Sequence, residues 1–126
     1  MTIDLSSGVS QAALLATIAA IIVVGGGSAF AYFAQGSLGK GLGITHLFLG
    51  LVLLIVAVSL FGGGGSIRAI ALFWSGIVVA YSCASEAVVL ANKILPAGPD
   101  VGSLGGTLVA VGLLVASSIL LGRAAP

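Results

Sequence analysis

Apolar residues run along this chain in four long, nearly uninterrupted stretches separated by short breaks rich in glycine. Continuous runs of this kind are neither the alternation of a half-buried strand nor the one-sided stripe of a helix on a soluble core. They predict transmembrane α-helices, because about 20 apolar residues at about 1.5 Å each cross the hydrocarbon layer of a bilayer. The expected spans are residues 12–33, 44–61, 67–95 and 104–121, joined by tight turns into an up-down bundle. The expected fold class is an all-α integral membrane protein, a single transmembrane domain over residues 1–126 that leaves no length for a soluble domain.

Gln35 to Gly43, with Lys40 and several glycines, is the expected first turn. Gly62 to Ser66 reads GGGGS, a composition shared by engineered linkers and natural hairpins. Such a segment reaches roughly 12 Å, enough to join adjacent antiparallel helices, and it is read as a natural hairpin. Pro96 and Pro99 are expected to stop the third helix, since proline has no N–H to donate. Gly25, Gly26 and Gly27 in the first span would break a helix in water; in lipid such glycines mark close helix contact or a braced kink. Ala12, Ala16 and Ala20 in the first span, and Gly102, Gly106 and Ala110 in the fourth, repeat a small residue every fourth position. They are the expected helix-packing residues.

Composition strengthens the membrane reading: the chain is 60% hydrophobic and 6% charged, where soluble domains are about 25% charged, and its mean hydropathy is +1.33. The cations Lys40, Arg68, Lys93 and Arg123 are scattered without a basic run, so nucleic acid is not an expected partner. With an even number of spans, Arg68 and Arg123 fall on one face and Lys40 and Lys93 on the other. The positive-inside rule then gives no orientation. The N-terminal segment carries Asp4 and no positive n-region, and the apolar run after it is longer than a signal-peptide core, so the first span is read as retained. Cys83 is the single cysteine, which rules out an intrachain disulfide, and it is expected to pack as a small apolar residue. The expected location is a membrane crossed several times, the cytoplasmic membrane of a prokaryote.

One charge departs from the outline. Glu86 lies seven residues before Lys93, roughly 10 Å inside the expected helix end, where a charge costs at least about 2.5 kcal/mol. Ser82 one turn back, Ser75 two turns further and Lys93 ahead share its helical face, which should turn toward protein or a water-filled cavity. His46 enters from the start of the second helix on the same side of the membrane. Tyr32, Gln35, Thr45, Ser103 and Thr107 gather at that side too. The expected polar site is therefore Glu86, His46, Lys93, Ser82 and Ser75. Burial penalises a charged carboxylate and a cationic neighbour favours it, the balance a proton or cation relay uses. The same groups would equally serve as a buried hydrogen-bonded pair that fixes helix register. Tyr32, Phe33, Phe73 and Trp74 read as interfacial anchors.

One histidine and one cysteine cannot close a structural zinc site, and no Ser-His-Asp constellation or phosphate-binding glycine loop is legible. No catalytic residue, metal or cofactor is expected, and enzymatic activity is not expected of this chain. The size and four spans are similar to those of small multidrug exporters and small fluoride channels, but the residues that define those families are missing. The first span lacks both the coupling glutamate of the exporters and the glycine-arginine signature of the channels, and Phe73 beside Trp74 does not match the channels' phenylalanine-rich motif. The functional expectation stays at the level of class. First comes a small polytopic membrane subunit that packs in the lipid bilayer with other membrane subunits or copies of itself. The alternative is an oligomeric ion channel or proton-coupled transporter using Glu86, and the third reading is a self-assembling apolar coat or filament subunit.

Overall fold

In the computed structural model the described residues are 7–62, 65–93 and 97–123, the last segment without the side chains of residues 97–100. Asp4, the expected span end at Leu95 and the expected stop at Pro96 lie outside them. The described residues form four helices: α1 (Gly8–Phe33), α2 (Gly36–Leu60), α3 (Gly65–Asn92) and α4 (Ala97–Arg123). Each is long and apolar enough to cross a membrane. At about 1.5 Å per residue, helices of 25 to 28 residues measure roughly 40 Å. That exceeds the hydrocarbon thickness of about 30 Å.

α1 starts where the Ser7 hydroxyl accepts the backbone N–H of Ser10 at 3.0 Å, closing one of the donors a helix start leaves unpaired. It ends as Ala34 turns extended, and the chain reverses within two residues because Gly36 takes a φ of +82°, a conformation that is nearly free for glycine alone. The expected turn from Gln35 to Gly43 is therefore corrected: α2 begins two helical turns earlier than Ile44. The reason is visible in what its glycines face. A Cβ on Gly43 would sit 2.6 Å from the backbone nitrogen of Ala31, and one on Gly27 would sit 2.6 Å from that of Leu47. At Gly50 it would meet Val23 Cγ1 at 2.7 Å. These glycines let the backbones of α1 and α2 touch, and the contact stabilises helix where composition alone suggests a loop. α1 also runs unbroken through Gly25, Gly26 and Gly27, of which only Gly27 meets α2.

The other boundaries shift for local reasons. Gly65 and Ser66 of the GGGGS segment already belong to α3. Lys93 has a φ of +51°, the left-handed conformation that commonly terminates a helix, so α3 stops at Asn92, short of Leu95. α4 starts at Ala97, seven residues before Leu104. Pro99 falls in its first turn, where a missing N–H leaves no intrahelical bond unmade, so this proline begins a helix and does not separate two.

α1 packs on α2 and α4, α2 also on α3, and α3 also on α4. Contacts between neighbours run antiparallel. Trp74 Nε1–H donates to the Leu49 carbonyl at 3.0 Å, and the Tyr81 hydroxyl donates to the Leu42 carbonyl, also at 3.0 Å. The Ser117 hydroxyl donates to the Ala12 carbonyl at 2.8 Å. Trp74 is thus a half-buried link between α2 and α3, which corrects its reading as an interfacial anchor. Tyr32, Phe33 and Phe73 are exposed.

The apolar core is uneven along the helices. A central cluster joins Ala16, Ala20 and Val23 of α1 to Leu53 and Ala57 of α2, Val78 of α3, and Ala110 and Leu114 of α4. Toward the N-terminus of α1 a second cluster, including Ala12, Ala13, Leu60, Ala71 and Leu121, again draws on all four helices. At the opposite end the buried cluster among the described residues is Ala34 and Val89, with Phe30, Leu42 and Val88 packed against it. Outside this core Ile21, Phe48, Ile55, Phe73 and Leu108 stand exposed, far more apolar surface than a protein shows to water.

Candidate functional site

Where the core thins, the four helices leave a cleft of about 230 Å³. It lies at the level where α1 and α3 end and α2 and α4 begin. Each helix contributes a distinct part of the wall: α1 gives Ile22, Val23, Gly26 and Phe30, α2 gives Leu42 and His46, α3 gives Ser82, Ser85 and Glu86, and α4 gives Gly102, Ser103, Gly106, Thr107 and Ala110.

Glu86 is placed there by helical periodicity. Ala71, Ser75, Val78, Ser82, Glu86 and Val89 are the buried positions of α3, at the spacing that puts residues on one inward face. Six residues separate Glu86 from the last residue of α3, so the carboxylate lies roughly 9 Å along the axis from that end. Only 6% of the residue is exposed. Its Oε2 accepts a hydrogen bond from the Ser103 hydroxyl at 2.7 Å, a short, charge-assisted distance. Its Oε1 is buried without a hydrogen-bond partner. Among residues with described side chains Glu86 is the only acidic one.

The expected site is assembled in part. Glu86, His46 and Ser82 line one cleft. His46 is half-buried, with its ring centroid 5.9 Å from that of Tyr81, and Ser103 takes the position expected of His46 or Lys93 as the carboxylate's partner. Lys93 is exposed beyond the end of α3, because the left-handed backbone there carries it off the helical stripe, and its assignment to the site is corrected. Ser75 is buried on the Glu86 face but lies outside the cleft.

The small residues also divide. Ala12, Ala16 and Ala20 are buried, and the backbone of Ala12 receives the Ser117 hydrogen bond from α4. Gly102 and Gly106 face the cleft, where an added Cβ would meet nothing within 4 Å, so they are not positions of close helix approach, and this too is a correction. Ala110 closes the cleft's inner end as a member of the central cluster. Cys83 is exposed on the outer side of α3, not packed inside.

Sequence reasoning missed two features of the site. Ser85 neighbours Glu86 in sequence but stood outside the stripe by strict spacing; its hydroxyl donates to the Ser82 carbonyl at 3.2 Å and borders the cleft. The apolar wall from α1 carried no signal, since Ile22 and Phe30 look like any lipid-facing residue until the neighbours of α1 are known. Among the described residues no group of three or more His, Cys, Asp or Glu side chains could hold a metal ion. No protein-family model, curated protein or solved structure matches the chain.

Proposed function

We propose that this chain is an integral membrane protein, an up-down bundle of four transmembrane helices, that binds a cation or proton at Glu86 and carries it across the bilayer. The observation that carries this reading is the Glu86 carboxylate itself, 6% exposed, with one oxygen unpartnered in a cleft that all four helices wall. A buried carboxylate used only as a structural tie has its oxygens satisfied, because an unmade hydrogen bond at a charged buried group costs more than about 1–3 kcal/mol. A buried ionisable residue with an unpartnered oxygen, inside an apolar protein, is the default place to look for a binding group.

The closed end of the molecule favours a carrier over an open channel. Below the cleft the central and N-terminal clusters fill the space between the helices with alanine, valine and leucine, so passage requires a change of shape. Packing with partner chains, the first reading of the sequence, drew on two small-residue stripes. Within this fold Ala12, Ala16 and Ala20 are covered by the chain's own helices, while Gly102 and Gly106 turn to the cleft, so that reading now rests on the scarcity of catalytic groups alone.

The test is flux in reconstituted vesicles. The parent protein is expected to move protons or a monovalent cation, followed with entrapped indicators, and Glu86→Gln is expected to lower the flux at least tenfold while keeping the parent's helical circular dichroism and elution in detergent. No flux from the parent, or undiminished flux from the folded variant, overturns the proposal.

A further inference from the structure

The hydrogen-bonding state of the cleft narrows the ligand. The Ser103 hydroxyl gives its proton to Glu86 Oε2, and the Ser85 hydroxyl gives its proton to the Ser82 carbonyl. A serine hydroxyl has one proton to donate and lone pairs to accept with. Ser85 and Ser103 thus line the cleft with hydroxyl oxygens left to accept, and Glu86, a third lining residue, carries a buried oxygen, Oε1, that has no partner. A site with three acceptors and a negative charge is complementary to a group that is positive and brings several N–H donors. A primary ammonium has three; a quaternary ammonium has none.

Size and the opposite wall narrow it further. α1 faces this polar group with Ile22, Val23 and Phe30, side chains that offer a bare inorganic cation nothing. An apolar protein cavity of about 150 Å³ takes up benzene, with its six heavy atoms. Scaled by volume, the 230 Å³ cleft suits roughly nine non-hydrogen atoms. A metal ion or a hydronium would leave most of that space as water against an apolar wall.

We infer that the Glu86 cleft binds a protonated primary amine with a short apolar tail, the ammonium held by Glu86 Oε1 and the Ser85 and Ser103 hydroxyl oxygens, and the tail lying against Ile22 and Phe30. This inference rests on the reading of Glu86 as a cation-binding group. It makes the carried species an organic amine of alkylamine or arylalkylamine size.

The experiment is binding by calorimetry to the full chain in detergent micelles, with methylammonium, n-hexylammonium and N,N,N-trimethylhexylammonium as probes and empty micelles as the blank. Hexylammonium is expected to bind at least tenfold more tightly than methylammonium, because of its tail, and at least tenfold more tightly than the trimethyl analogue, because of its N–H groups. Glu86→Gln is expected to lower hexylammonium affinity at least tenfold. Gly106→Leu keeps the carboxylate and fills the cleft from a position where an added Cβ meets nothing within 4 Å; it is expected to do the same, and it decides the matter if the Glu86 variant does not fold. Equal affinity for the three probes, or hexylammonium binding unchanged in Gly106→Leu, overturns the inference. Proton or alkali-cation flux that depends on Glu86 in a protein that binds no hexylammonium overturns this inference and leaves the cation-carrier reading standing. Binding as expected without any flux supports the inference and overturns carriage.

Discussion

The α1–α2 seam and the α3–α4 seam join consecutive antiparallel helices of similar length, and they are built in opposite ways. Along α1–α2 the glycines are notches: the backbone of one helix occupies the place where the other's Cβ would be at Gly27 and Gly43, and the side chains of Val23 and Val24 take that place at Gly50. Along α4, Gly102 and Gly106 are vacancies, with no atom within 4 Å of an added Cβ, and the link to α3 is the hydrogen bond from Ser103 to Glu86. The same residue type thus brings helices together in one seam and keeps space open in the other. The atoms opposite the glycine decide which, and its spacing in the sequence does not.

The largest expected effect comes from Gly43→Ala. The backbone at Ala31 cannot move aside as a flexible side chain would, so the added methyl should cost about 3 kcal/mol and lower the yield of monodisperse protein and its thermal midpoint in detergent. A midpoint within a degree of the parent would break the account of this seam. Next is Ser103→Ala, which leaves both oxygens of the buried carboxylate without a partner and should cost about 1.5 kcal/mol, read from the same thermal transition. No loss of stability there would show that the 2.7 Å bond does not hold α4 to α3. Smallest, and opposite in sign, is Gly106→Ala. An alanine in an open helical position should raise stability by about 0.5–1 kcal/mol through helix propensity, so the two glycine-to-alanine changes are expected to move the midpoint in opposite directions.

The same contrast explains what could be read from the sequence. Hydropathy located all four helices, because in lipid every backbone group must pair within its own segment and an apolar run of this length has few alternatives to a helix. The ends were less legible. Glycines at 36, 39, 41 and 43 look like a loop by the rules of helices in water, and what the sequence does not show is that Gly43 lies against the backbone of Ala31 in the facing helix. Pro99 looks like a stop and proves to be part of a start, since its effect depends on which side of it the helix lies.

The site shows the same limit. Glu86 and Ser82 were found on one face because periodicity within a helix is a local property, and Ser103 and Thr107 were placed at the same membrane level by counting along the spans. Lys93 was misplaced because the stripe was extended past a helix end that only its backbone conformation reveals. The Ser117–Ala12 bond joins residues 105 positions apart, and a lone serine in an apolar span gives no sign of its partner. Both Ser117 and Glu86 are buried polar groups. The first is satisfied by a carbonyl and ties two helices; the second keeps an unpartnered oxygen, and only the fold distinguishes a tie from a site.

The three notches between α1 and α2 also determine how the molecule can change shape. Two rods that touch this closely at successive levels cannot slide past one another without driving a side chain into the facing helix, so the pair is held as one unit. The Trp74 and Tyr81 hydrogen bonds to carbonyls of α2 then fasten α3 to the same unit.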